Sequence, residues 1–339
     1  MPVWLKSIPC HIVLKCISNL WASNMADKIR LLRRSKPKAD ESFIGYIIRL
    51  TAENGYERLS WILKKAEIYN GIASNPAGYT FVFKKSINLT KLSQMTNVSI
   101  DALESMMYRP INIRGSYTSR HLFITTPVSR YFIQVKKPKV CPCCLQESAY
   151  YRKIWDLAPI TACPIHQCLL MDRCPKCHAR IKWGRANVCI CKCKFDWRNS
   201  YRIPVDSSDF KFNYLVHHLC GIKVNVSLKP SRRKNPLFKL DLENLLSSLF
   251  FIVHQYRGIP EIEGKYSEAS LENRELHTLL VRAFTVFEDW PTRFYELLDW
   301  LRTDDGKSGS IRNGSNFALL PFTLYGKHQR YLSNQLDFF

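Results

Sequence analysis

The 339-residue sequence lacks an apolar run able to cross a bilayer. Its best stretch, residues 245–253, is interrupted by Ser247 and Ser248, whereas a spanning helix requires roughly eighteen apolar residues or more. It also lacks a clean export signal: Lys6 precedes an apolar stretch over residues 8–20, but His11 and Lys15 break it and no small-x-small cleavage site follows. Residues 1–24 are therefore expected to be upstream translation or a loose tail, with more ordinary soluble sequence from Met25 on, and the expected compartment is the cytoplasm. Acid is scarce as well. The 28 Asp plus Glu face 50 Lys plus Arg, a formal charge of +22. Solubility needs far less, so the excess points to a polyanionic partner such as nucleic acid. An aromatic content of 12% is too high for a solvated, disordered chain. The length suits two or three packed units of roughly 100 to 200 residues each.

The charge is unevenly distributed. Residues 1–239 hold 40 basic and 14 acidic side chains, and residues 240–339 hold 10 and 14. A basic front and a mildly acidic rear imply two kinds of partner. His-Glu-x-x-His is missing, and the acids show no pairing suited to metal-assisted hydrolysis, so an enzyme is not expected.

Cysteine, by contrast, is abundant and clustered: ten of the thirteen fall between Cys141 and Cys193. An odd total without an export signal disfavours a disulfide framework and favours thiolate–metal bonding. Cys141-Pro-Cys-Cys144 and Cys163-Pro-Ile-His166 each leave two residues between potential ligands, the spacing that turns both onto one tetrahedral ion. Cys141, Cys144, Cys163 and His166 are thus expected to hold one structural zinc. Cys174-Pro-Lys-Cys177 repeats the knuckle. Cys191 and Cys193 are expected to complete a second structural site with Cys174 and Cys177, Cys189 being the alternate ligand. Eight protein ligands for two ions leave no open coordination position for catalysis. Cys143, Cys168, Cys10, Cys16 and Cys220 read as packing or incidental thiols.

Basic side chains gather in two places. Lys28, Arg30, Arg33, Arg34, Lys36 and Lys38 form an arm that is either solvated or in contact with phosphate. Arg180, Lys182, Arg185, Lys192 and Lys194 decorate the cysteine-rich stretch among Trp183, Phe195 and Trp197. Those aromatics would either stack on bases or fill a small metal-tied core, and the core is favoured. After the arm, Asp40 reads as an N-cap, Phe43, Ile47 and Leu50 share one helical face, and Asn54-Gly55 is a stop signal. Residues 88–107 read as helix, tight turn, helix, with Leu89, Leu92 and Met95 facing Leu103 and Met106 or Met107 across a turn at residues 96–98. This is helix-turn-helix spacing. Asp101 and Glu104 on the second helix would repel phosphates, so DNA reading and protein docking both stand.

The expected fold is mainly α with a small zinc-ribbon or zinc-finger module. Residues 1–35 would be a flexible basic arm, 36–138 an N-terminal helical domain with a helix-turn-helix, and 139–204 a zinc-binding module. Residues 205–239 would be a basic linker, and 240–339 a C-terminal helical domain.

Three elements in this order resemble the TniQ/TnsD family of transposon target-selection proteins: the Asp40-Glu41-Ser42-Phe43 helix start closing at Asn54-Gly55, the Leu89 to Met107 helical pair, and the zinc series. Asp289-Trp290-Pro291-Thr292-Arg293-Phe294, followed by Leu297, Leu298 and Leu301, is similar to the family's Trp-Pro helix start, and Leu324-Tyr325 onward to its closing helices. The resemblance implies a non-catalytic adaptor that binds DNA or an RNA-guided CRISPR effector complex and recruits an AAA+ ATPase, which brings in the transposase. Self-association is left open. Two departures stand out: Lys194 occupies the place of the family's glycine after Cys-x-Cys, and the sequence to Phe339 carries no further helix-turn-helix modules. The alternative is a zinc-dependent helix-turn-helix transcription regulator.

Overall fold

The computed structural model describes residues 29–68, 82–83, 87–111, 120–224, 235–257 and 271–302. Lys28, residues 1–24 with Cys10 and Cys16, residues 225–234 of the expected linker, and the segment from Leu324 lie outside the described residues.

Helix α1 (Phe43–Glu53) begins where the Ser42 hydroxyl accepts the Gly45 N–H at 3.1 Å, which satisfies one of the free donors of the first turn. Asp40, the expected cap, sits too early. Its carboxylate instead receives the Tyr150 hydroxyl at 2.6 Å and the Arg152 guanidinium at 2.9 Å. Phe43, Ile47 and Leu50 are buried as their spacing predicts, and Gly55 takes a φ of 69° just past the helix, the left-handed conformation that favours glycine. The buried Glu41 carboxylate grips Arg49 with two bonds of 2.8 and 2.7 Å. Arg49 in turn donates to Lys36 O at 2.9 Å, Arg33 N–H donates to Asn54 Oδ1 at 2.9 Å, and Leu31 is buried. The basic segment from residue 29 therefore runs along α1 with its backbone fixed.

Helix α2 (Ser60–Lys65) packs beside α1. Helices α3 (Thr90–Thr96) and α4 (Ile100–Ser105) flank a turn in which Asn97 has a φ of 56°, and the Ser99 hydroxyl caps α4. Leu89, Leu92, Met95, Leu103, Met106 and Met107 are all buried. An element that no spacing signalled follows: strands β1 (Arg109–Ile111), β2 (Arg120–Phe123) and β3 (Thr126–Ser129) form an antiparallel sheet in that order. Pro110 and Pro127 obscured it. Both lie on edge strands, the one place where a residue without an N–H fits a sheet.

Helix α5 (Pro142–Glu147) and the two-stranded ribbon β4 (Ala162–Cys163) and β5 (Cys168–Leu169) open the cysteine-rich region. Residues 205–239 are not wholly a linker, because they contain α6 (Lys211–Leu219), with Phe212, Leu215 and Val216 buried. Helices α7 (Leu242–Arg257), α8 (Asn273–Glu288) and α9 (Thr292–Arg302) form the rear. α8 packs on α6, α7 and α9, and α7 also packs on β3. Leu297 and Leu298 are buried, so this face of α9 serves packing. Among the described residues no helix is long and apolar enough to cross a membrane.

A single hydrophobic core runs from Leu31 to Leu298 and includes Tyr151, Trp155 and Trp183 of the cysteine-rich region. That region therefore does not depend on a small core of its own. Polar anchors complete the join. Asp156, wholly buried, accepts the hydroxyls of Tyr108 and Tyr151, and Lys153 donates to Ser105 O and Met107 O at 2.8 Å each. Burial pushes the Asp156 carboxyl up to about 6 and the Lys153 amine down to about 8. On the other side, Asn273 at the start of α8 donates to Thr161 O and Leu170 O at 2.7 Å each.

Candidate metal centre and nucleic-acid interface

The N-terminus of α5 supplies Cys141 and Cys144, and the β4–β5 hairpin supplies Cys163 and His166, whose ligand atoms converge on one point. His166 Nδ1 lies 3.5, 3.3 and 3.5 Å from the sulfurs of Cys141, Cys144 and Cys163, and Cys144 Sγ is 3.7 Å from Cys163 Sγ. Tetrahedral zinc with bonds of about 2.3 Å to sulfur sets sulfur–sulfur edges of roughly 3.8 Å. The donor set fits that ion in type, number and spacing. Glu147 Oε1 sits 2.8 Å from His166 Nε2. A carboxylate there holds the proton on Nε2 and leaves Nδ1 free to ligate, the usual support for a metal-bound imidazole. The neighbouring Cys141 thiol first, and burial after it, push the Cys163 thiol up to about 12.

The second group joins Cys174, Cys177, Cys191 and Cys193, with Cys174–Cys193 and Cys177–Cys191 sulfur separations of 3.7 Å each. Cys189 lies outside this cluster, and burial raises its thiol to about 11. The backbone explains why these pairs converge. The residue after the second ligand is left-handed in three of the four turns: Gln167 at φ 49°, His178 at 55° and Lys194 at 67°. Such a residue reverses the chain tightly around the sulfurs, a conformation glycine adopts without strain. Lys194 therefore occupies a position with a glycine-like backbone.

Cys143 and Cys168, expected as incidental thiols, both lie beside Cys141, with Cys168 Sγ 3.6 Å from Cys141 Sγ. No sequence spacing signalled this, because the β4–β5 pairing of Cys163 with Cys168 brings it about.

The candidate nucleic-acid residues divide. Arg30, Arg33, Arg34, Lys36 and Lys38 are exposed, as are Lys182, Lys192 and Lys194, and Arg180 is half-buried. Arg185 is buried and does not belong to the surface set. Its guanidinium lies 5.5 Å from the Trp183 ring and 5.0 Å from Trp197, and it donates to Lys182 O and Asn187 O. A buried cation packed against two indoles and bonded to two backbone carbonyls is structural. Trp183 and Trp197 are themselves buried, so they form core and offer no stacking platform. Lys36 and Lys38 line two clefts at once. One is walled by Asn97, Val98, Ser99 and Ala102 of the α3–α4 pair, and the other by residues 148–150, Asn187 and Val188 beside the metal region. On α4, Asp101 is exposed and Glu104 pairs with Arg109, so the helix itself offers phosphate no welcome.

A search of the curated proteins gives no match. Residues 32–170 match the TniQ family model. The matched span covers α1, the α3–α4 pair, the sheet and the first ligand cluster, and it stops short of the second.

Proposed function

Because the chain belongs to the TniQ family through residues 32–170, with the transposition-associated target-selection role that this family implies, we propose that it is a non-catalytic adaptor. It engages target DNA, bare or within an RNA-guided complex, through its basic front, and presents its rear helices to an AAA+ ATPase that brings the transposase. Two structural zinc ions, bound by Cys141, Cys144, Cys163 and His166 and by Cys174, Cys177, Cys191 and Cys193, shape the front. With all eight positions taken by protein atoms, these ions stabilise the fold and leave no position for a substrate.

The observation that carries the nucleic-acid part is the placement of Lys36 and Lys38. Arg49 donates to Lys36 O at 2.9 Å and Glu41 accepts the Lys38 N–H at 3.0 Å, which fixes their backbone, while both side chains face solvent between two clefts. Cations on a fixed ledge bind phosphates at lower entropic cost than cations on a free tail. The acidic α4 argues that the α3–α4 pair walls the cleft and does not enter a groove as a recognition helix. The test is DNA binding by the metal-loaded chain across a salt series. Removing one phosphate-binding cation lowers the slope of log K against log salt by about 1, so Lys36→Ala with Lys38→Ala is expected to lower it by about 2. An unchanged slope would remove this ledge from the interface. Absence of salt-sensitive binding, together with no association with the ATPase or guide complex of a neighbouring transposon, would end the adaptor reading.

A further inference from the structure

Three thiols meet where the eight-ligand scheme uses only one. Cys141, Cys143 and Cys168 have their sulfurs within 4.8 Å of one another, and Cys141 and Cys168 are 3.6 Å apart. Cys141 and Cys168 are buried, while Cys143 is partly exposed. The placement follows from the two elements that build the first metal centre. α5 carries Cys143 one residue before the ligand Cys144, and the antiparallel register pairs Cys168 with the ligand Cys163, which puts both cross-strand side chains on one face of the ribbon.

We propose that Cys141, Cys143 and Cys168 form a further thiolate site for a soft d10 cation, zinc being the ordinary case, with the Cys141 sulfur bridging it to the ion held by Cys141, Cys144, Cys163 and His166. This inference rests on the zinc assignment of that first site. Sulfur donors select zinc, cadmium or copper(I) over the hard cations magnesium and calcium. A thiolate has lone pairs enough to bond two metals, and the charges balance. The second ion brings two positive charges while the thiols of Cys143 and Cys168 release two protons to solvent, so the net charge of the metallated cluster does not change. Three protein sulfurs leave the fourth tetrahedral position open on the side of Cys143, where solvent reaches. The site thus differs in kind from its two closed neighbours, since a small exchangeable ligand can enter it.

Metal stoichiometry decides the matter. The full chain, purified under reducing conditions, saturated with Zn2+ and freed of unbound metal, is expected to hold three zinc ions by mass spectrometry of its metal and sulfur content. Cys143→Ser, at a partly exposed position, and Cys168→Ala are each expected to hold two while keeping the wild-type circular dichroism. In the 113Cd-substituted chain, two resonances should show mutual cadmium–cadmium coupling through the shared Cys141 sulfur, and Cys143→Ser should remove it. Two zinc ions in the wild type would overturn this inference and leave the two closed sites standing. Fewer than two would overturn both. A third ion retained in both variants would place it elsewhere and equally sink the proposal.

Discussion

Glycine in a helix interior normally costs about 1 kcal/mol relative to alanine, so Gly45→Ala in α1 would ordinarily stabilise the protein. The structure reverses that sign. A Cβ at residue 45 would sit 2.6 Å from Tyr151 Cβ, 2.9 Å from Ser42 Oγ and 3.2 Å from Tyr151 O. Tyr151 has no room to retreat: it is wholly buried, its hydroxyl donates to Asp156 at 3.1 Å, and its ring lies 5.2 and 4.6 Å from those of Trp155 and Trp183. Ser42 supplies the helix cap through the oxygen that would be displaced. Overpacking costs about 1–3 kcal/mol and a lost cap about 1, so after the helical gain the net loss is about 2 kcal/mol. Urea unfolding of the metal-loaded chain is the assay. At a slope of about 2–3 kcal/mol per molar, the midpoint should fall by about 0.7–1 M with the slope unchanged. Gly184→Ala is the control, because nothing lies within 4 Å of its added Cβ, and it should stay within about 0.5 kcal/mol of wild type. A midpoint for Gly45→Ala at or above that of the wild type would refute the claim that α1 and the metal region are packed against each other without slack.

Chelation should do more than melt residues 139–204. Ser42 N–H donates to Tyr151 O and Lys153 N–H to Asp40 O, so loss of metal is expected to raise amide exchange in α1 as well, and exchange confined to the cysteine-rich segment would contradict the shared core. Lys194→Gly should stabilise the zinc-loaded chain by about 1 kcal/mol by relieving a left-handed lysine, and a lower melting temperature would show that the turn has no strain to relieve. Burial lowers the His277 imidazole to about 4 from an ordinary value of 6.5. The folded state therefore binds fewer protons than the unfolded state between those values, and stability is lost as pH falls from 6.5 toward 4. His277→Gln should flatten this part of the stability curve by up to about 3 kcal/mol relative to wild type; parallel curves for the two proteins would assign the acid sensitivity elsewhere.

The parts legible in the sequence were those where spacing alone dictates geometry. Paired Cys-x-x-Cys and Cys-x-x-His steps found the two ligand clusters, and period and stop signals found α1 and the α3–α4 pair. What escaped depends on tertiary pairing. Arg185 looked like any surface cation, yet its neighbours Trp183 and Trp197 close over it from either side. Cys168 looked idle until the ribbon brought it to Cys141. The edge-strand prolines hid the sheet, and Asp40 has the chemistry of a cap but the wrong position, because Glu41 must reach Arg49 and Ser42 is left facing the first turn.

The bonds from Asn273 to Thr161 O and Leu170 O have a mechanical consequence. Both acceptors flank the β4–β5 turn that carries Cys163 and His166, so the first residue of α8 is hooked directly onto the loop that holds two of the candidate ligands. Joined in this way, the rear helices share one hydrophobic core and a set of direct hydrogen bonds with the front. On the adaptor reading the molecule would act as a ruler: a partner docked on α8 would be held at a set distance and angle from DNA resting on Lys36 and Lys38.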